Sequence, residues 1–347
     1  MAELTRLGRA MALVVAGASC EGAPPVTPSR RLEGVQSQSA LPPTRTLAAP
    51  ESALSAAAAP TSAAPTGDYR HALPGRLIAI GDVHGDLPAT RAALRLGGAI
   101  DTEDRWVGGD LTVVQTGDQL DRGDDERQIV DLFERLAKEA AAAGGQVVAL
   151  NGNHEVMNVQ GDFRYVTPAG VTSFSGVVPR SPHARAAPPP FEDRAAAFLP
   201  GGGYALELSE RDVIAVVGDS VFVHGGILPE HVTYGIDRIN RETREWMRSG
   251  DRAAPPSIAS ERAAVWVRDY SFDPVSSSTC ATLGQVLDAL GVRRMVVGHT
   301  VQNAGISSAC DERVYRIDVG LSRYYGDNPI QVLEISAGNV RPLSAAR

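Results

Sequence analysis

The chain has 347 residues, 43% hydrophobic and 21% charged, enough for one large soluble domain or two ordinary ones with a sizeable core. Its 33 basic and 41 acidic side chains leave a net charge of −8, with no Lys/Arg-rich run. That balance argues against nucleic-acid partners, which need phosphate neutralisation. It leaves phosphorylated substrates open, because bound cations invert a local field.

Arg6 and Arg9 precede a short apolar stretch, Met11 to Ala18, followed by small residues and Cys20. A basic start, a short apolar core and a small-residue exit are the pattern of an export signal, so residues 1–20 are expected to direct export. Two forms stay open: cleavage after Ala18, or a lipid anchor at Cys20, whose Gly-Ala-Ser-Cys context resembles a bacterial lipoprotein box. The apolar stretch is too short for a transmembrane span, which needs about 20 residues. The expected location is periplasmic or membrane-anchored, and cytoplasmic only if the signal reading fails. Residues 21–70, rich in Ala, Pro and Ser, cannot bury enough apolar area to offset ordering entropy and are expected to form a disordered tether.

The folded body is assigned to 71–347, with regular structure from near Gly75. Leu77–Ile80 reads as a buried strand ending at Gly81, Leu87–Leu96 as a helix and Leu111–Gln115 as a second strand. Across 125–142, Ile129, Leu132, Phe133, Leu136, Ala137 and Ala140 recur at helical spacing. Gly144-Gly145 ends that helix, and Val147–Leu150 is the next strand. The β-α-β-α-β order predicts parallel pairing. Residues 179–203, rich in Pro, Ala and Gly, read as an irregular insertion. Val213–Val217 and Val221–His224 should pair as a hairpin across Gly218-Asp219-Ser220. A helix near Leu283–Leu290 and strands at Arg294–Val297, Val314–Asp318 and Ile330–Ile335 complete the pattern. Beyond Cys20 only Cys280 and Cys310 remain, a pair that an oxidising compartment would join as a disulfide and a reducing one would leave as buried thiols.

Strand after strand ends in glycine beside a metal-competent side chain. Gly81-Asp82-Val83-His84-Gly85 follows the first strand, Gly117-Asp118-Gln119-Leu120-Asp121-Arg122-Gly123 the second, and Asn151-Gly152-Asn153-His154-Glu155 the third. Val223-His224-Gly225-Gly226 and Gly298-His299-Thr300 end two more. Side chains placed just beyond strand ends project into one crevice, where open α/β sheets bind ligands. Carboxylate, imidazole and amide oxygen without thiolate form a donor set suited to Mn, Fe or Zn. An acidic residue between two such clusters can bridge two ions, an arrangement suited to phosphoryl displacement by water. Any one piece alone would more often be a turn or a surface ion pair.

GDVHG, GDQLDRG, GNHE, VHGG and GHT together resemble the ordered motifs of the calcineurin-like metallophosphoesterases. The Asp-Arg-Gly and Asn-His-Glu endings resemble its phosphoprotein phosphatase family. FVHGGILPEHVTYG, MVVGHTVQNAGI and IDVGLSRYYG are most similar to the Shewanella-like protein phosphatases, over roughly residues 76–335. The resemblance implies an α/β fold with a central β-sandwich of mixed sheets flanked by helices and a dinuclear metal site at the sheet ends. It implies that Asp82, His84 and Asp118 hold one ion, with Asp118 bridging to a second completed by Asn153, His224 and His299. His154 would protonate the leaving oxygen, oriented by Asp121, while Arg122, Asn153 and a second arginine bind phosphate. Arg268 is the candidate for that arginine and Arg248 its competitor. The implied activity is hydrolysis of a phosphomonoester on a phosphorylated protein or peptide, at Ser/Thr or Tyr, by attack of a metal-bridging hydroxide. The rival is a diadenosine-tetraphosphate-type or other small-molecule hydrolase, although diadenosine hydrolases usually carry Ala-Arg-Gly and Asn-His-Asp at the corresponding motifs. Phe163, Tyr165 and the insertion are expected at the site's rim, and His71, His183 and His231 in solvent.

Overall fold

Period-two alternation of apolar residues sorts the short strands into two sheets, each with one face toward the other and one toward helices. The structure, a computed structural model, describes residues 69–180, 187–249 and 253–347, all within the unit Thr61–Arg347. The export-signal reading of 1–20 with Cys20, the tether reading of 21–70 apart from Tyr69 and Arg70, and His183 lie outside the described residues.

Among the described residues the strands are β1 (Arg70–His71), β2 (Arg76–Ile80), β3 (Thr112–Gln115), β4 (Gln146–Ala149), β5 (Ile214–Val217) and β6 (Ser220–Val223). They continue with β7 (Arg294–Val297), β8 (Ser307–Ala309), β9 (Val314–Arg316), β10 (Ile330–Ser336) and β11 (Asn339–Ala345). One sheet runs β11-β10-β2-β3-β4 and the other β1-β5-β6-β7-β9-β8. Pairing is parallel at β2–β3 and β3–β4, and again at β6–β7 and β7–β9. The C-terminal ends of each parallel set therefore share one edge. The predicted hairpin is β5–β6, antiparallel with Val217 opposite Ser220.

Leu77 and Ala79 of β2, Phe222 of β6 and Val296 of β7 belong to an apolar layer that joins residues of both sheets. Their neighbours Ile78 and Ile80 turn the other way, onto α1 (Leu87–Leu96) and α2 (Glu126–Ala142). Each such fully buried aliphatic side chain contributes about 1.5–3 kcal/mol. Asp86 starts α1 by accepting the Ala89 N–H at 2.9 Å, with Pro88 in the first turn. The outer face of the second sheet packs under α3 (Asn153–Gln160), α5 (Glu192–Phe198), α6 (Gly203–Leu208), α7 (Pro229–Tyr234), α8 (Ile236–Arg248), α9 (Pro256–Ala259) and α10 (Ser277–Leu290), while α4 (Pro168–Ser173) packs on α5 and α2. The layering is helix, sheet, sheet, helix, as the resemblance implied.

Four expectations change. Regular structure begins before Gly75, because Arg70–His71 pairs in parallel with Val216–Val217 of β5. The insertion is not irregular throughout: Glu192–Phe198 is helical, with Arg194 to Phe198 buried. His231 is buried rather than in solvent; its Nδ1 accepts the Leu228 N–H at 3.0 Å and its Nε2–H donates to the Arg262 carbonyl at 2.7 Å. His71 is half-buried at the end of β1. Cys280 and Cys310 form a disulfide, with Cα atoms 5.2 Å apart. No helix among the described residues is long and apolar enough to cross a membrane.

Candidate metal centre

Asp82, Asp118 and Asn153 lie just past β2, β3 and β4, while His224, His299 and Asp318 lie just past β6, β7 and β9. One sheet thus supplies one half of the cluster and the facing sheet the other. His84, Asp118, Asp121, Arg122 and His299 all adopt left-handed backbone, with φ of 39°, 59°, 68°, 67° and 67°. Non-glycine residues rarely accept such angles, and a concentration of them marks a place where surrounding structure overrides local preference. Two glycines let the strand ends close in: a Cβ on Gly152 would collide with Asp118 Oδ1, and one on Gly298 with Asp82 Oδ1.

The imidazoles are aimed by their outer nitrogens. His84 Nδ1–H donates to the Leu120 carbonyl at 2.9 Å and His224 Nδ1–H to the Thr116 carbonyl at 3.0 Å. Each therefore turns an Nε2 lone pair inward, which is how metal-binding histidines are usually oriented. His224 Nε2 stands 2.8 Å from Asn153 Oδ1, 3.1 Å from His299 Nδ1 and 3.2 Å from Asp118 Oδ2. His84 Nε2 is 3.6 Å from Asp118 Oδ2 and 3.9 Å from Asp82 Oδ2. Acceptors converge on acceptors here, and a cation between them resolves the conflict. His299 faces the cluster through Nδ1, and its buried Nε2 has no hydrogen-bond partner. Asp118, His224 and His299 form one group with metal-ligand spacing; His84, Asp118 and His154 form another. The residues present fit a metal centre.

Electrostatics point the same way. Burial, then the Asp318 and Asp118 carboxylates, pushes the Asp82 carboxyl well above its ordinary value. Burial raises Asp318 to about 6. Burial also pushes Asp118 up, but His224, His154 and His84 outweigh it and hold that carboxyl well below the usual range. Burial holds His84 well below an ordinary imidazole and brings His299 down to about 2. Neutral imidazoles and crowded carboxylates are the protonation states that bind cations.

Beside this cluster, His154 Nδ1 meets Asp121 Oδ2 at 2.5 Å, and the His154 backbone N–H donates to Asp118 Oδ1 at 3.0 Å. Burial works against charge on His154, but Asp118 and Asp121 prevail and raise its pKa. Its Nε2 lies 3.7 Å from Asp118 Oδ2. Arg122 sits at the mouth with its guanidinium 5.3, 5.7 and 5.5 Å from the rings of Tyr165, Tyr324 and Tyr325, and Nη1 donates to His84 Nε2 at 2.6 Å. It also donates to the Tyr325 hydroxyl. Arg268 is half-buried beside His299, donating to the His299 carbonyl at 2.8 Å and Thr300 Oγ1 at 2.7 Å. Its competitor Arg248 pairs with Glu210 and Ser209 instead, away from the cluster. Tyr165 reaches the site, with its ring 5.2 Å from that of His154, whereas Phe163 stacks on Phe191.

Several residues here had no role in the sequence reading. Glu155 accepts backbone N–H groups from Asp118, Gln119, Leu120 and Gly152 at 2.8, 2.8, 3.2 and 2.7 Å, fixing the turn that carries Asp118. Asp318 follows its strand as the other acidic residues follow theirs, and the same signal would have found it. Tyr325 and Arg194 carry no such signal.

A model of the calcineurin-like phosphoesterases matches residues 75–303. Shewanella-like protein phosphatase 2 of Arabidopsis thaliana is 43% identical over 294 residues, covering 76% of this chain and 75% of that protein. Shewanella-like protein phosphatase 1 of Plasmodium berghei is 30% identical, covering 77% of this chain and 73% of its own. Among solved structures, a cold-active protein-tyrosine phosphatase of a psychrophilic Shewanella species superposes with a TM-score of 0.63 at 22% identity, over 80% of this chain and 82% of that one. That last likeness speaks to the fold alone.

Proposed function

The chain belongs to the calcineurin-like phosphoesterases and, within them, to the Shewanella-like protein phosphatases, and on that premise we propose that it hydrolyses phosphomonoesters on protein or peptide side chains at the Asp118 centre. The observation that carries the proposal is the convergence of Asp118 Oδ2, Asn153 Oδ1 and His299 Nδ1 on His224 Nε2, all within 3.2 Å. Asp82, His84 and Asp118 would hold one ion, and Asp118, Asn153, His224 and His299 the other. When bound, the ions supply Lewis acidity to the phosphoryl oxygens and make water acidic enough to attack near neutral pH. Mn, Fe and Zn suit the donor set.

The protein groups then divide the remaining work. Arg122 beside His84 and Arg268 beside His299 clamp phosphoryl oxygens and align phosphorus for in-line displacement, with Asn153 adding an amide donor. His154 keeps Nδ1–H on Asp121, so Nε2 carries the transferable proton. As the P–O ester bond breaks, that proton goes to the leaving oxygen, and an alcohol rather than an alkoxide departs. His154 lies in the second group with ligand spacing, but its Asp121 contact favours the acid role.

The residue 1–20 pattern and the Cys280–Cys310 disulfide support an exported, oxidising location, with Cys20 as a site for a lipid anchor. The test is an assay of metal-reconstituted protein on phosphoserine, phosphothreonine and phosphotyrosine peptides and on a dinucleoside polyphosphate. Turnover of at least one peptide, abolished by Asp118→Asn, is the expected result. Preferential cleavage of the dinucleotide, or near-normal turnover by Asp118→Asn, refutes the proposal.

A further inference from the structure

The largest fully buried side chain among the described residues is an arginine, and it comes from the Ala/Pro-rich insertion. Arg194, on α5, uses all five of its N–H groups. Nε donates to Asn158 Oδ1 at 2.9 Å; Nη1 donates to Glu126 Oε2 at 2.5 Å and the Gly170 carbonyl at 2.9 Å; Nη2 donates to Glu126 Oε1 at 2.8 Å and Asp121 Oδ1 at 3.3 Å. Phe163, Phe174 and Phe198 surround its guanidinium, at 5.7, 5.3 and 5.1 Å. A buried arginine is retained at a desolvation cost, and this one meets that cost with complete satisfaction of its donors.

The other end of the network is the proton donor. Asp121 presents Oδ2 to His154, while its Oδ1 accepts from Arg194 and, at 3.0 Å, from Asn158 Nδ2. Asn158 also donates to the His154 carbonyl at 2.9 Å, and Glu126 Oε1 takes the Asp121 backbone N–H at 2.5 Å. The carboxylate plane is thereby locked on its far side. Without the lock, Asp121 can rotate about its terminal torsion, and His154 loses the partner that fixes its tautomer.

We propose that Arg194 is a positioning residue for leaving-group protonation, so that the insertion, far from being a passive rim, holds the Asp121–His154 pair through Arg194 and Asn158. This rests on the reading of His154 as the acid given above. An acid matters in proportion to the basicity of the leaving oxygen. p-Nitrophenolate departs without a proton; phenolate and alkoxides do not leave readily unprotonated. Misplacing the acid should therefore be almost invisible with the first leaving group and costly with the others.

The experiment uses the full chain loaded with Mn²⁺ and measures kcat and KM for p-nitrophenyl phosphate and phenyl phosphate in Arg194→Lys, Asn158→Ala and Asp121→Asn. Arg194→Lys keeps the charge and loses the fork, while Asn158→Ala leaves the arginine in place and weakens its link to Asp121. Expected is a fall in kcat for phenyl phosphate of about 10-fold or more, against about threefold or less for p-nitrophenyl phosphate, with KM little changed. The ratio between substrates on one preparation cancels any misfolded fraction. Asp121→Asn should show the same selectivity more strongly. Equal losses on both substrates in Arg194→Lys and Asn158→Ala, with selectivity kept in Asp121→Asn, overturn the positioning role and leave the acid assignment standing. Equal losses in Asp121→Asn overturn both.

Discussion

Glu155→Gln is the most direct test of how the metal-site turn is built. Glu155 Oε2 takes the N–H groups of Asp118 and Gly152, and Oε1 those of Gln119 and Leu120. Four donors leave no room for a proton, so the carboxylate is ionised although burial, followed by the Asp118 charge, pushes its pKa up. A glutamine replaces one oxygen by an NH₂ group, and whichever way it turns, two backbone N–H groups then face a donor. At about 1–3 kcal/mol for each orphaned group, the loss is roughly 2–6 kcal/mol. Unfolding entropy of about 2.1 cal/mol/K per residue gives ~0.6 kcal/mol per degree for a unit of this size, so Tm should fall by roughly 3–10 °C. Calorimetry on chelated protein isolates this effect from metal binding. A competition titration should show metal affinity down by about 10–100-fold, since the turn that aims Asp118 has lost its anchor. An unchanged Tm with unchanged affinity would refute the idea that Glu155 organises the turn.

Arg268→Ala should lower kcat/KM on a peptide substrate by about 10²-fold while Arg248→Ala changes it less than about twofold, consistent with one arginine at the rim and the other on Glu210; steady-state kinetics decide, and equal effects would refute the assignment. Replacing both Cys280 and Cys310 by Ser should cost about 3–4 kcal/mol for a sequence separation of 30, read by denaturant unfolding, with no change in kcat at 25 °C. Glu334 lies between Arg76 at 2.7 Å and Arg341 at 2.6 Å, and these partners, Arg76 first, hold its carboxyl below the ordinary 4.5. A depressed folded pKa stabilises above the unfolded value and the benefit is lost as pH falls through the folded value. Glu334→Gln should therefore lower stability at pH 7 by up to about 1 kcal/mol, a gap that closes towards pH 3. A gap independent of pH would show that the ion pairs contribute nothing.

Much of this was legible in the residue order because the site sits where short strands end in glycine. Asp82, His84, Asp118, Asn153, His224 and His299 could be read from that repetition, and they converge. The Cys pair, the α2 stripe and the β5–β6 hairpin were equally readable. Three of the four edge strands were not. β1 has two residues, β8 three, and β11 is largely exposed, so none shows the apolar alternation that announces a strand. Arg194, Asn158 and Glu126 were hidden for a different reason. Their roles depend on which polar groups meet in the interior, a matter of tertiary placement that neither periodicity nor spacing encodes.

The side chains of the candidate centre are divided between the two sheets, so the gap between them is set by the hydrocarbon sandwiched in the middle. Leu77, Val114, Phe222 and Val296 touch no substrate, yet they act as shims that gauge how far Asp118 stands from His224 and His299. Packed interiors do not deform smoothly. Thinning one shim would let the two ledges slide by a fraction of an ångström, enough to spoil a site whose tolerances are of that size. The apolar filling is thus part of the instrument, setting the calibration of a centre whose residues it never meets.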